Sequence, residues 1–168
     1  MDSRKVVLPI KNEKKSILIK RIAIGLFWIY IGVLLRITVF RSGFQPGNLC
    51  QNGTLNLTLF ESYVPLLENR DFKRIVYLFV GNIIWFVPLG FYLGRFGRRK
   101  WKVWQIWLSG LLLSFLIEFL QYVFGTGVSE LDDLILNSLG AWIGALLEKG
   151  MRIWGMRKGR RVDEESFK

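Results

Sequence analysis

The sequence predicts an all-α, polytopic membrane protein with four transmembrane helices, and three features of its composition support this prediction. Hydrophobic residues fill 51% of the 168 positions, and one membrane crossing needs about 20 consecutive apolar residues. The charged residues are gathered in blocks between long uncharged stretches, which excludes a soluble globule or a disordered chain. A single cysteine and no histidine exclude an internal disulfide, zinc clusters and histidine-based catalysis.

The first predicted span covers about residues 22–40 and follows a basic tail, residues 1–21. It is too long for the apolar region of a signal peptide, and a polar loop follows it in place of a cleavage site. Arg36, near its far end, is placed to extend its side chain to the membrane surface. The second span, residues 75–94, is 20 residues without a charge.

The third predicted span, residues 103–124, contains one charged residue, Glu118. The fourth has only 14 uncharged residues, Leu134 to Leu147. Taken as residues 129–148, it reaches about 30 Å at 1.5 Å per residue, enough for a fourth crossing.

The basic residues predict the orientation. There are 24 Lys and Arg against 13 Asp and Glu, a net charge of +11. Nineteen of the basic residues lie in three segments, residues 1–21, 95–102 and 149–168. With four spans these segments share one side of the membrane, and the positive-inside rule makes that side the cytoplasm. Topology and anionic lipid headgroups then account for the positive charge, and no nucleic-acid partner is expected.

Two segments are predicted to lie outside. The outer loop, residues 41–74, contains the apolar stretch Leu55–Phe60, which is too short to span. We expect it to be a short interfacial segment or to fold back over the helices. The second segment is the turn at residues 125–133, which has acidic side chains and no Lys or Arg.

Polar side chains recur on one face of each of the last two spans. Ser114, Glu118 and Gln121 have the spacing i, i+4, i+7, and Asn137 follows Asp133 by four residues. The short turn makes the two helices antiparallel neighbours, so both sets lie in the outer half of the membrane. We predict one outward-open polar pocket with these members: Asn82, Glu118, Gln121, Asp132, Asp133 and Asn137.

A carboxyl group at membrane depth costs about 2.5–3.5 kcal/mol on insertion scales, so Glu118 needs a partner, a proton or a function. We assign Glu118 and Asp133 as candidate catalytic residues. The candidate substrate-binding residues are Asn82, Gln121, Asp132 and Asn137. The neutral side chains have a structural alternative, a hydrogen bond to a neighbouring helix, and Asp132 would suit the positive start of a helix. Gly140 and Gly144 are assigned to close helix packing.

These residues resemble the signature of the VanZ-like family. The likeness covers about residues 20–148 and includes Leu55–Phe60. The matching runs are Asn82-x5-Pro88-x-Gly90, Glu118-x-x-Gln121, and Glu130-x-Asp132-Asp133-x3-Asn137-x2-Gly140-x3-Gly144. Two positions depart from the pattern. Many members have a proline where this chain has Leu59, and many have a basic residue where it has Gly127-Val128.

The resemblance implies a bacterial cell-membrane protein linked to reduced susceptibility to lipoglycopeptides, teicoplanin more than vancomycin. The distribution of basic residues predicts that both of its termini are cytoplasmic. Three classes of function stay open. The first is a non-enzymatic resistance protein that binds the drug's lipid or alters its surroundings. The second is an intramembrane enzyme for a lipid-linked cell-envelope precursor, with Glu118 and Asp133 as an acid–base pair or as ligands of a divalent cation. The third is an ion-coupled carrier, which with four spans would require an oligomer.

The partners expected in every case are membrane lipids, and an oligomer is compatible with each class. No cofactor is expected for the first class. For the second, a site with only oxygen ligands would favour Mg²⁺ or Mn²⁺ over zinc.

Overall fold

The computed structural model describes residues 10–40, 53–97 and 101–166, with side chains described over residues 15–40, 53–97 and 101–157. Cys50, the start of the outer loop and much of the two basic tails therefore lie outside the described residues. The described chain is mostly helical. Its five α-helices are α1 (Ile10–Thr38), α2 (Val64–Glu68), α3 (Phe72–Phe96), α4 (Val103–Phe124) and α5 (Leu131–Ser166).

Two short strands, β1 (Thr54–Asn56) and β2 (Val128–Glu130), and one 3-10 turn (Glu61–Tyr63) complete the described elements. The strands form a parallel pair, with Leu55 opposite Ser129. The prediction of an all-α protein did not include this pair. The outer loop therefore folds back onto the turn between α4 and α5, one of the two alternatives for that segment.

Three helices are long and apolar enough to cross a membrane: residues 15–38 of α1, the whole of α3 and the whole of α4. They correspond to the first three predicted spans, and α4 has the predicted bounds. The fourth predicted span is helical from Leu131 but is not one of these three. Acidic residues at its start and charged residues from Glu148 onward restrict its uncharged part to 14 residues. The helix continues to Ser166, into the predicted C-terminal tail.

Helices α3 and α5 run in the same direction and are in very close contact. A Cβ atom on Gly140 would lie 2.1 Å from the carbonyl oxygen of Ile83, and one on Gly144 would lie 2.1 Å from that of Val87. A real Cβ cannot approach so closely, so only glycine allows this contact. The predicted role of Gly140 and Gly144 in helix packing is confirmed, and the helix they approach is α3.

Helix α4 runs antiparallel to α5, and α1 packs against the other side of α3 and α4. Phe27 of α1 stacks on Tyr92 of α3 with ring centroids 4.0 Å apart. The Tyr30 hydroxyl donates to the Trp85 carbonyl oxygen at 2.6 Å. The buried core combines all four long helices: Leu34, Val39, Phe86, Leu89, Ile117 and Ala141. Arg36 donates to the carbonyl oxygen of Phe40 and so satisfies the end of α1.

The bundle thus has two distinct ends. The sheet end carries β1, β2 and the start of α5, and the basic end carries the last turns of α3. At the basic end the buried carboxylate of Glu148 pairs with Arg95 at 4.0 Å and with Arg152 at 3.8 Å. The predicted site residues lie towards the sheet end.

Candidate functional site at the sheet end

The acidic residues at the start of α5 hold the outer loop against the bundle. Both carboxylate oxygens of Asp132 accept from the backbone N–H of Phe60, at 3.1 and 2.8 Å. Phe60 has the left-handed backbone conformation, with φ 60°. The Ser62 hydroxyl donates to the Glu130 carboxylate at 2.5 Å. Asp132, only 2% exposed, is therefore a structural anchor of the loop.

Glu118 is buried, with 5% of its surface exposed, and its carboxylate accepts hydrogen bonds from its surroundings. The backbone N–H of Glu130 donates to it at 2.9 Å. The Gln121 amide lies against the same carboxylate; with its nitrogen turned inward, it donates at 3.0 Å. The Ser129 hydroxyl donates to the carbonyl oxygen of Glu118 at 2.7 Å. Glu118 thus connects the end of α4 to β2. Its hydrogen bonds offset the free-energy cost of burying the carboxylate.

Asp133 belongs to a second network that faces α3. The amide of Asn82 donates to its carboxylate. The Ser114 hydroxyl donates to its backbone carbonyl oxygen at 3.3 Å, and the Asn137 amide donates to Ser114 at 2.9 Å. The polar face of α4 and that of α5 therefore meet as predicted, with Asn82 completing the set from α3.

The six predicted pocket residues gather at one end of the bundle, where their hydrogen bonds form two sets. Glu118 and Gln121 face β2, whereas Asn82 and Asp133 lie between α3 and α5. The Glu118 carboxylate accepts from the backbone N–H of Glu130, whereas the Asp133 carboxylate accepts from the Asn82 amide. The two residues predicted to act as an acid–base pair therefore make these contacts with different elements, β2 and α3.

Tyr63 is a site residue that the sequence did not indicate. It is 6% exposed, and its ring packs edge-on against Phe60 and Phe79, with centroids 6.0 and 6.4 Å away. Burial, followed by the negative charges of Asp133, Asp132 and Glu130, raises the pKa of its hydroxyl to about 12. Its position follows from the folding of the loop onto α5, a long-range contact with no local sequence pattern.

The described residues contain no group of three or more Asp, Glu, His or Cys side chains placed to hold a metal ion. A divalent cation bound among these residues would thus have at most two acidic ligands. Six or more oxygen ligands are usual for Ca²⁺ and Mg²⁺, so water or a bound phosphate would supply the rest.

An apolar groove opens beside Glu118. Its volume is about 320 Å³, and its walls come from the segment of β1, from β2, from α4 and from the start of α5. The lining includes Leu55, Leu57, Phe115, Phe119 and Leu134. A second cavity of about 820 Å³ follows the α4–α5 face towards the basic end and shares Leu131 and Leu134 with the first. We call these two neighbouring cavities, which share part of their lining, the α4–α5 trough.

The fold and the site define a helical membrane protein with a polar network at one end of its bundle. The model of the VanZ/LLP1 family matches residues 27–152, three quarters of the chain, so the protein belongs to this family. Protein VanZ of Enterococcus faecium is 24% identical over 125 residues, which cover 73% of this chain and 71% of that protein. No solved structure matches the chain.

Proposed function

We propose that this protein lowers the susceptibility of its host to teicoplanin-type lipoglycopeptides, and that it does so at the outer leaflet without chemistry on the drug. Membership of the VanZ/LLP1 family supports the phenotype. The arrangement of the sheet end supports the location and the mode of action.

The proposal requires that α5 cross the membrane as a fourth span. Helix α5 runs parallel to α3 and touches it from Asn82–Asp133 to Arg95–Glu148. Since α3 has the length and composition of a membrane span, a partner packed along it must lie at the same depth. Residues 131–148 of α5 therefore cross the membrane as well, with their charged residues at the two surfaces.

The proposal also requires that the sheet end of the bundle face the outside of the cell. The basic end has Arg95 and Arg152 and leads into the basic segments of the sequence, whereas the turn at the sheet end has no Lys or Arg from Gly125 to Asp133. By the positive-inside rule the basic end faces the cytoplasm. The sheet end then lies at the outer surface, where a cell-wall antibiotic acts.

The observation on which the mode of action rests is the α4–α5 trough. It begins beneath β1 at the sheet end and continues along the helices, so its direction is that of a lipid chain in a bilayer. Leu57 and Phe119 are 66% and 52% exposed, and such apolar surface favours contact with an alkyl chain. Teicoplanin has an acyl chain and vancomycin does not, so capture of this chain would affect teicoplanin selectively.

The polar network supports a non-enzymatic function. The Glu118 carboxylate accepts a backbone N–H, and Asp132 holds Phe60; both contacts stabilise the loop that roofs the trough. An acid–base pair would need both carboxylates at one substrate, but Glu118 and Asp133 face different neighbours.

The test is the susceptibility of a Gram-positive host that lacks the protein, carrying either an empty vector or the wild-type gene. Membrane abundance is measured by immunoblot. We expect wild type to raise the inhibitory concentration of teicoplanin and to leave that of vancomycin almost unchanged. Equal protection against both drugs would contradict acyl-chain capture, and no protection against either would contradict the proposed phenotype.

A further inference from the structure

The basic end of the bundle contains a cavity that the proposed function does not use. It lies between the last turns of α3 and the part of α5 that continues past the predicted fourth span. Its volume is about 430 Å³, which is within the usual range of about 300–1,000 Å³ for small-ligand sites. Arg95 and Arg152 line it from the two helices, with Glu148 between them.

Glu148 brings the two arginines to the same place. The helices approach closely here, since a Cβ atom on Gly94 would lie 3.3 Å from the Cβ of Glu148. The buried carboxylate pairs with Arg95 of α3 at 4.0 Å and with Arg152 of α5 at 3.8 Å. Two guanidinium groups from different helices are therefore held at one cavity by one acidic side chain.

Both guanidinium groups retain donors for a ligand. Their distances to the carboxylate exceed the range of an N–H···O hydrogen bond, about 2.7–3.2 Å, so these contacts are ion pairs. Each guanidinium has five N–H donors, more than one carboxylate can accept. Among the described residues that line the cavity, Glu148 is the one acidic group, and it faces two positive charges. The cavity therefore has a net positive charge and favours an anion.

The remaining lining and the depth of the cavity indicate which anion is present. Arg95 directly follows the 20 uncharged residues 75–94, so it lies where the apolar core of the bilayer ends and the headgroups begin. Phe91, one helical turn deeper on α3, also lines the cavity, as do Met151 and Met156. Lipid phosphates are the anions concentrated at this level, and their alkyl chains fit an apolar wall.

We propose that Arg95 and Arg152 bind the headgroup of an anionic phospholipid in the leaflet at the basic end. The lipid phosphate accepts N–H donors from both guanidinium groups, whose planar forks match phosphate oxygens, and the acyl chains run past Phe91 towards the bilayer interior. A zwitterionic lipid has the same phosphate but adds a cation of its own. The net positive charge of the cavity therefore selects a lipid with net negative charge.

This site goes beyond glycopeptide protection and does not depend on it. It lies at the end of the bundle opposite to β1 and β2, and it shares no lining residue with the α4–α5 trough. Its test uses purified protein and lipids, so it also does not depend on which leaflet the basic end faces in the cell. The result can succeed or fail whatever the outcome for teicoplanin.

The experiment uses the full-length protein in mixed micelles of phosphatidylglycerol and phosphatidylcholine with identical acyl chains, in equal amounts. Native mass spectrometry counts the protein molecules that carry one bound lipid of each kind. One basic charge at a membrane surface favours an anionic lipid by about fivefold. Because the cavity has one positive charge in excess, we expect wild type to prefer phosphatidylglycerol by about this factor.

Two variants and a matched control locate the preference. Arg95→Gln and Arg152→Gln each leave the cavity without excess charge, so each should reduce the preference towards one. Either variant leaves Glu148 with one arginine, and either alone tests the site if the other fails to fold. The control is Arg157→Gln, which removes an exposed arginine of the same helix outside the lining of the cavity. It should leave the preference unchanged.

A second arm separates the lipid from its headgroup by adding soluble glycerol 3-phosphate, which has the phosphate but no acyl chain. Retention of phosphatidylglycerol in the presence of an equal concentration of this competitor supports the lipid as the ligand, and its displacement would overturn that assignment. Equal binding of the two lipids by wild type would overturn the site. So would an equal loss of preference in Arg157→Gln, because the preference would then come from the overall surface charge.

Discussion

Asp132 and Phe60 are 72 residues apart in sequence, and both carboxylate oxygens of Asp132 accept from the Phe60 backbone N–H. This contact joins the outer loop to the first turn of α5. It is partly buried, and it lies next to the parallel pairing of β1 with β2. The loop is consequently part of the folded bundle, and it forms the roof of the α4–α5 trough.

Replacement of Asp132 by alanine should release this loop. A fully buried N–H that loses its acceptor costs about 1–3 kcal/mol and this partly buried one should cost less, but without its acceptor the amide of Phe60 should still exchange its hydrogen faster than in wild type. Hydrogen exchange with mass spectrometry on the detergent-solubilised protein measures this rate. The matched control is Asp71→Ala, which also removes an acceptor of a backbone N–H, that of Arg74, but at an exposed helix start. Unchanged protection of residues 54–60 in Asp132→Ala would show that the loop does not depend on this contact.

The close contact of α3 and α5 predicts a marked difference between two glycines of one helix. Gly140→Ala would place a Cβ 2.1 Å from the Ile83 carbonyl oxygen, whereas Gly150→Ala meets no atom within 4 Å. We expect Gly140→Ala to lower the free energy of unfolding by about 1–3 kcal/mol. Gly150→Ala should have no cost, since alanine favours a helix more than glycine does. Thermal unfolding in detergent provides the comparison, and equal stability of the two variants would contradict the packing.

The ion pairs at the basic end predict that loss of both arginines destabilises the protein more than loss of the Glu148 charge does. Glu148 is 4% exposed, while the side chains of Arg95 and Arg152 are 57% and 43% exposed. Removal of both arginines leaves a buried charge without a partner, whereas Glu148→Gln removes that charge. The double variant Arg95→Gln/Arg152→Gln should therefore be the less stable, by on the order of 1 kcal/mol after allowance for solvent screening. Greater destabilisation by Glu148→Gln would mean that the carboxylate has another role.

The proposed orientation can be tested with the one cysteine of the chain. Cys50 lies outside the described residues, in the loop predicted to be extracellular. A membrane-impermeant maleimide should label it in intact cells. In the reciprocal variant, Cys50→Ser with Gly155→Cys, labelling should require permeabilised membranes. Labelling of Gly155→Cys in intact cells would reverse the orientation and move the sheet end to the cytoplasm.

The helices were the part of the fold that the sequence could predict. Long apolar stretches, with Glu118 as the one charged residue of the second, define α3 and α4 within a few residues, because burial in lipid imposes a minimum apolar length. The same rule gives a weak signal for α5, whose uncharged part is 14 residues and whose stability depends on packing against α3. The spacing of Gly140 and Gly144 indicated close packing but could not indicate the partner helix.

The sequence predicted which residues gather at the candidate site, but only part of the contacts among them. The helical spacing correctly placed Ser114 near Asn137, because residues on facing stripes of antiparallel helices must meet. The pairing of β1 with β2 could not be predicted, since three-residue strands show no alternation and their register depends on a distant segment. The position of Tyr63 depends on that pairing, so its burial beside the acidic residues could not be predicted from the sequence either.

The most direct test of the account compares Leu57→Asn with Glu118→Gln for protection against teicoplanin at equal membrane abundance. Leu57 lines the trough and is largely exposed, so Leu57→Asn should change the trough without unfolding the protein. The control is Leu67→Asn, because Leu67 is 55% exposed and lies outside the lining of the trough. We predict that Leu57→Asn loses most of the protection, while Leu67→Asn retains it. Glu118→Gln should also retain it, because its amide oxygen can still accept from the Glu130 backbone N–H. Loss of protection in Glu118→Gln together with full protection by Leu57→Asn would contradict capture of the acyl chain and favour chemistry at the carboxylate.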